Sequence, residues 1–250
     1  MTAADRADAE TSAEREKAPH SQTLSRGIRV LEVLAEADGP LTIAELATAL
    51  GVHRSIVYRL LRTLEDHGLV GRTAAGSIEL GARLAALARS VSRDLQSAAL
   101  PELTAVANEL GMTAFVGILD HGEVVTLVSV EPRHAHATVA QRPGTRHSLA
   151  VGAPGVAIQT LLTREQRRRA LPADVRPDLG DDRITEAHEQ GYAVSRDEVI
   201  PGMSSVAVPL AVPGQPLAAL AVVYIGLTTR PDEIGARLAQ AARGIRAELS

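Results

Sequence analysis

Apolar residues recur at helical spacing through the first third of the chain. Leu24, Ile28, Leu31 and Leu34 predict a helix from near Gln22, which Asp38-Gly39-Pro40 ends. Thr42, with Glu45 three residues on, forms a capping-box signature. Ile43, Leu46, Ala47 and Leu50 then give a second helix its buried stripe, and Gly51 makes the turn. In a third helix Ile56, Val57, Leu60, Leu61 and Leu64 face inward, and His67-Gly68 ends it. Two short runs follow, Leu69 to Arg72 and Ser77 to Leu80, around the turn Thr73-Ala74-Ala75-Gly76. Helix-turn-helix plus hairpin is a winged helix. Leu84, Leu87, Ala88, Val91 and Leu95 return to helical spacing and predict a linker helix over 81–97, a connector and dimer element.

A second domain is expected over 98–250. Leu100, Leu103, Val106 and Leu110 line a helix that Gly111 stops. Strands are predicted at Thr113 to Leu119, Glu123 to Val130 and Ala137 to Gln141, the last leading into Arg142-Pro143-Gly144-Thr145. Helices follow at Pro154 to Leu162, Thr163 to Ala170 and Asp182 to Gln190. Strands return at Tyr192 to Ser195, Ser204 to Ala211 and Leu217 to Ile225, and a helix runs from Pro231 to Glu248. Strand pairs with hairpin-length loops, separated by helices, predict an α+β domain on a mostly antiparallel sheet. Residues 1–21 lack apolar periodicity and read as a disordered tail, which leaves 22–80 for the winged helix.

Composition narrows the function classes. At 250 residues and 45% apolar, two globular domains fit better than one. No apolar run reaches membrane-spanning length, and the N-terminus lacks the apolar core of a signal peptide, so a cytoplasmic protein with no membrane partner is expected. A net charge of −4 does not coat nucleic acid, so any DNA contact must come from a local basic stripe. With no cysteine there is no disulfide framework, thiolate zinc site or thiol nucleophile. Aromatics make up 2% of the chain, too few for single-strand stacking platforms.

The third helix has the chemistry of a duplex reader. No acidic residue falls between His53 and Leu64, and polar groups collect away from the apolar stripe. Arginine forks onto guanine O6 and N7, and residues near the N-terminus of such a helix reach deepest into the groove. His53, Arg54, Ser55 and Tyr58 are therefore assigned to base edges, and Arg59, Arg62 and the wing residue Arg72 to phosphates. Arg26 and Thr42 complete the DNA-contact set. An ordinary amphipathic helix with solvated arginines is the competing reading; the capped helix, glycine turn and hairpin around it weigh against that.

These residues resemble the IclR family, the isocitrate lyase repressor-type regulators. The resemblance runs through Ser25-Arg26-Gly27-Ile28 with Val30-Leu31, Glu45-Leu46-Ala47, Gly51-Val52, Arg59 to Leu64 and Gly68-Leu69-Val70. It continues through Ile78-Glu79-Leu80-Gly81, where Ile stands for a usual aromatic and Glu for a usual basic residue. Beyond these come Gly191-Tyr192, Asp197-Glu198, Gly202, Val206-Ala207 and Pro209. It covers residues 22 to 250. It implies an N-terminal winged helix-turn-helix, a linker helix and a C-terminal GAF-like α+β effector-binding domain with an antiparallel sheet. It also implies dimers, often paired into tetramers, that regulate catabolic genes by binding an operator of inverted half-sites. Repression is the family habit, and the effectors are small carboxylates or aromatic acids.

The same resemblance places the effector site. Leu149 to Ala157 stands where the family has a loop entering a helix, and Pro154 suits the first helical turn. Amides near Gly152, Ala153 and Gly155 would face an anion there. Leu149, Gly152, Ala153, Ser195, Ser205, Ala221 and Val223 form the implied effector set, with Arg196 or Asp197 as alternatives to Ser195. Several positions depart from the family. Ala150 replaces a usual histidine, Val156 a lysine, Ser205 a cysteine, and Ala221 and Val223 frequent serines. The implied pocket is less polar and suits a carboxylate or amide with an apolar or aromatic body.

Other constellations carry less. His134, His136 and His147 lack an acidic partner at metal-site spacing, so neither metal nor cofactor is expected. Met203-Ser204-Ser205 lacks the frame of a hydrolase nucleophile, and Arg167-Arg168-Arg169 reads as a solvated face. An enzyme that converts a small molecule, with an accessory winged helix, is the rival from another class; no activated nucleophile or carboxylate pair supports it.

Overall fold

A computed structural model describes residues 21–134, 139–171, 181–226 and 229–250, with the Asp181 side chain undescribed. The tail expected over 1–21 lies almost wholly outside them. The chain divides into two compact units between Val91 and Ser92.

In the first unit, α1 (Gln22–Glu36), α2 (Ile43–Leu50) and α3 (Arg54–Asp66) precede the antiparallel strands β1 (Val70–Arg72) and β2 (Ile78–Leu80). The capping box forms: the Glu45 N–H donates to Thr42 Oγ1 at 3.3 Å, and the Thr42 N–H to Glu45 Oε2 at 2.7 Å. Gly51 ends α2 at φ 62°, a left-handed turn that favours glycine. Leu41 adds a bridge to the wing by exchanging backbone hydrogen bonds with Ile78. The core joins Val30 and Leu34 to Leu46, Val57, Leu61, Leu64 and Ile78. The first helix departs from expectation in which face it buries. The buried stripe of α1 is Gly27, Val30 and Leu34; Leu24 and Ile28 are 63% and 48% exposed and line a groove against α3. The expected stripe is thus split: Leu34 is buried and Leu31 packs partly buried against the core, while Leu24 and Ile28 face outward.

The linker helix also differs from expectation. α4 spans only Arg83–Ala88, and α5 starts anew at Arg93 and runs to Leu110. Between them Ser92 has φ 44°, and Ser90 Oγ donates to the Leu87 carbonyl at 2.8 Å. Serine side chains that bond the local backbone compete with the helix, and the β-branched Val91 does not favour it. Leu95, expected in the linker, is fully buried in the core of the second unit.

The second unit holds six antiparallel strands in the order β5-β4-β3-β8-β7-β6. They are β3 (Thr113–Asp120), β4 (Glu123–Val130), β5 (Arg146–Ser148), β6 (Ala193–Arg196), β7 (Ser204–Leu210) and β8 (Ala218–Tyr224). Side-chain alternation divides the sheet into two faces. Ala114, Val116, Leu220, Val222, Val206 and Val208 pack under α5 and α9 (Pro231–Glu248). Phe115, Ala219, Ala221 and Ala207 pack under α6 (Gly152–Gln159) and α8 (Asp181–Gln190), while α7 (Arg164–Ala170) lies between those two in sequence. The alanines on this face let α6 sit close, and all eight of its residues are buried. A helix apolar all round belongs in a core.

The run expected as a strand over Ala137 to Gln141 is not one in its described part, 139–141. Val139 is buried and its carbonyl accepts the Thr113 hydroxyl at 2.7 Å. The edge strand is β5, which pairs with β4 through Glu123↔Ser148. Its polar residues show no apolar alternation, so the pattern passes over it.

Candidate functional site

The recognition helix α3 begins at the N-cap His53, whose Nδ1 accepts the Ser55 N–H at 3.3 Å and lies 2.9 Å from Ser55 Oγ. Two residues assigned to base edges are thus tied to each other, and the Nε2 of His53 remains as the outward donor. Arg54, Tyr58 and Arg62 are exposed, Tyr58 by 55%. Among the described residues Arg54, Arg59 and Arg62 have no acidic partner. Arg59 lines the groove between α1 and α3, together with Arg26. Arg59 is itself exposed and lies one turn from both Ser55 and Arg62, so it borders the groove and the outer face alike. Thr42 spends its hydroxyl on Glu45, to which it also donates at 2.7 Å. Arg72 on the wing pairs with Glu65 at 2.7 Å, which reduces the charge it presents to a phosphate.

Four of the seven residues expected to hold an effector meet where α6 begins. Gly152, Ser195, Ser205 and Val223 line one small cavity of about 60 Å³ with Phe115, Gln141, Thr145 and His147. Glu198, Val199, Ile200 and Met203 close it from the loop between β6 and β7. Leu149, Ala153 and Ala221 are fully buried and stand behind the wall. The amides at the start of α6 are not vacant, as an anion seat would suggest. The Gly152 N–H donates to Glu198 Oε2 and the Ala153 N–H to Ser195 Oγ, both at 2.9 Å. A buried helix start must satisfy its orphan donors, and these side chains do so. Ser205 Oγ donates to the Val222 carbonyl at 2.8 Å. Arg183 reaches both oxygens of Glu198, at 2.7 and 3.2 Å.

Sequence reasoning missed Glu198 and His147 as parts of this site. His147 Nδ1 lies 3.0 Å from the Ser148 carbonyl, so it carries the proton there and leaves Nε2 as an acceptor. Burial pushes the imidazole below the ordinary histidine value of about 6.5. The unfolded chain therefore binds a proton more readily, and the stability from neutral His147 is lost as pH falls through its folded value. The melting temperature is expected to drop between pH 7.5 and pH 5.5, and His147→Asn to flatten that drop. An unchanged pH slope in the variant would refute this assignment.

Among the described residues no cluster of His, Asp and Glu suits a metal ion, and no helix is long and apolar enough to cross a membrane. His134 is exposed and His136 lies outside the described residues. The basic run of α7 is partly structural: Arg167 reaches the carbonyls of Gln159 and Leu162, and Arg169 pairs with Glu165.

Comparison with known proteins agrees with this architecture. Residues 23–74 match the IclR helix-turn-helix domain, and residues 88–247 the C-terminal domain of bacterial transcriptional regulator IclR. The chain is 32% identical over 197 residues to the HTH-type transcriptional regulator Rv1719 of Mycobacterium tuberculosis, covering 74% of this chain and 75% of that protein. An IclR transcriptional regulator from Alicyclobacillus acidocaldarius shares the fold with a TM-score of 0.77 at 26% identity, over 94% of this chain and 100% of that one. An IclR homolog from Microbacterium hydrocarbonoxydans, solved in complex with 4-hydroxybenzoate, has a TM-score of 0.78 at 24% identity, over 91% and 99% of the two chains. Relatives of this kind are regulators, which removes the enzyme reading. The chain belongs to the IclR family of DNA-binding transcriptional regulators.

Proposed function

We propose that this regulator represses catabolic genes in the cytoplasm and is released from its operator by a small organic acid. The effector has a carboxylate head and an apolar or aromatic body. One observation carries the reading: the start of α6 already holds a carboxylate, that of Glu198, at the edge of a cavity walled by Phe115, Val199 and Val223. An anion at a helix N-terminus meets donor N–H groups and the positive end of the dipole. The 4-hydroxybenzoate bound by the Microbacterium homolog has the same combination of carboxylate and ring.

On the DNA side, Arg54, Ser55 and Tyr58 read base edges from α3. His53 adds a donor, and Arg26, Thr42, Arg59, Arg62 and Arg72 contact the flanking backbone. Exposed Leu24, Ile28, Leu87 and Val91 supply the apolar surface for a dimer, and dimers pair into tetramers. Two winged helices then meet inverted half-sites about 34 Å apart. Effector binding shifts the dimer between DNA-competent and DNA-incompetent geometries, which requires different affinities for the two states.

The decisive measurement is binding to duplex DNA from beside the protein's own gene, against random competitor and with added acids. Benzoate or 4-hydroxybenzoate is expected to lower operator affinity, and glyoxylate to leave it unchanged. Release by glyoxylate with no response to benzoates would overturn the effector class. Competitor-sensitive binding alone would overturn operator reading.

A further inference from the structure

We infer that Glu198 is a built-in anion that occupies the seat of the effector's carboxylate, so an effector binds by displacing it. This deepens the carboxylate-effector reading above and rests on it. Glu198 accepts the Gly152 N–H at 2.9 Å, and Arg183 clamps its two oxygens at 2.7 and 3.2 Å. A carboxylate bound by a backbone amide and a forked guanidinium is how a protein holds an acidic ligand. Here the chain supplies the acid itself.

The geometry around Glu198 is that of a removable plug. It sits on the loop 197–203, which closes on itself: the Asp197 N–H donates to the Met203 carbonyl at 2.9 Å, and the Gly202 N–H to Asp197 Oδ1 at 2.6 Å. Asp197 has φ 59°. Val199 lies directly on Gly152, where an added Cβ would come within 2.9 Å of Val199 Cγ2. Val199 and Ile200 are 46% and 43% exposed, so the loop lies at the surface, and the cavity beside it is partly open to water. The cavity, about 60 Å³, is far below the roughly 300 Å³ at which pockets for small organic ligands begin. A ring-bearing acid therefore enters only if a wall moves. The sheet, Phe115 and α6 are core; the loop that carries Glu198 is the wall able to yield. The Arg183 and Glu198 side chains are 40% and 26% exposed, so water screens their pairing and the plug can be exchanged. Opening the cavity and vacating the amide are then one motion, which gives the site a threshold against weak acids.

A merely structural cap would behave differently. Removing its charge would leave effector affinity unchanged or weaken it. A competitor, once neutralised, strengthens it, and only for ligands with a carboxylate. The experiment is calorimetric titration of full-length wild type and Glu198→Gln with benzoate, 4-hydroxybenzoate, acetate and pyruvate, and with the neutral 4-hydroxybenzamide. The variant is expected to bind the best acid about tenfold more tightly and the amide within about twofold of wild type. Binding by the variant alone would support the inference equally. If the wild type binds an acid and the variant binds it no better, the plug is overturned while the carboxylate reading stands. If neither protein binds any of the acids, the carboxylate reading falls and the plug with it. Should Glu198→Gln fail to fold, wild type carries the test through the Gly152 amide resonance. That signal must move when an acid binds, and a stationary signal during binding overturns the inference.

Discussion

Replacing Arg54 by alanine is expected to weaken binding to the operator roughly 10- to 100-fold and to relax preference at one base pair. The magnitude follows from the worth of a forked arginine contact to guanine, about 1–3 kcal/mol. Arg54 is the first residue of α3, exposed, and without an acidic partner among the described residues, so its guanidinium is available to a base edge. Arg62 sits two turns further along the helix and is assigned to phosphate. Arg62→Ala should weaken all duplexes alike and lower the salt slope by about 1. Arg72→Ala should do less, since Glu65 already offsets its charge. Binding to operator and random duplex at two salt concentrations separates these outcomes. An Arg54→Ala protein with unchanged operator preference would take Arg54 out of the reading face.

How much of the fold is legible in the sequence depends on what each residue answers to. The winged helix is written in local signals. Thr42 and Glu45 are three residues apart and cap their own helix, Gly51 turns at φ 62°, and the apolar stripe of α3 is the one buried. The final helix, Pro231–Glu248, matches end to end because proline opens it and the apolar period persists. The linker is harder. Leu84 to Leu95 keeps helical spacing, but the pattern cannot show that Ser90 and Ser92 break the backbone, or that Leu95 has a core to enter. On α1 two apolar faces compete, and packing against α2, α3 and the wing decides that Val30 goes inside.

The candidate effector site is legible as a place and not as a state. Gly152 and Pro154 mark a helix start, and Ser195, Ser205 and Val223 reach the same cavity from separate strands. The occupant of the amide cannot be read from the pattern. Glu198 lies 46 residues from Gly152 in sequence and meets it only because β6 runs beside α6 in space. Asp197-Glu198 is visible as a motif, yet its two carboxylates act differently, since Asp197 closes its own loop while Glu198 reaches across. His147 sits between the polar Arg146 and Ser148 on a short strand with no apolar alternation, whereas the fold turns it into a cavity wall.

Gly155→Ala is expected to destabilise the sheet domain by about 1–3 kcal/mol and to abolish the effector response. A methyl on Gly155 would run into the Leu149 carbonyl oxygen and come within 3.1 Å of the Leu149 carbonyl carbon. That carbonyl cannot swing away, because Leu149 is fully buried and its oxygen accepts Gln159 Nε2 at 2.9 Å. Alanine favours a helix over glycine by up to about 1 kcal/mol, which the clash with backbone outweighs. Gly244→Ala is the internal comparison: there the methyl meets only the Glu102 side chain, which can rotate, so the helix preference should prevail. Relief at Gly155 would require α6 to shift, and α6 carries the Gly152 and Ala153 amides that meet Glu198 and Ser195. A shift of a few tenths of an ångström there is felt in a close-packed interior. The folded fraction of Gly155→Ala should still bind operator through its intact winged helix while ignoring the acid. Thermal melting of both variants beside wild type checks the ordering, and a Gly155→Ala protein that melts like wild type would show that the contact with Leu149 does not hold α6 in place.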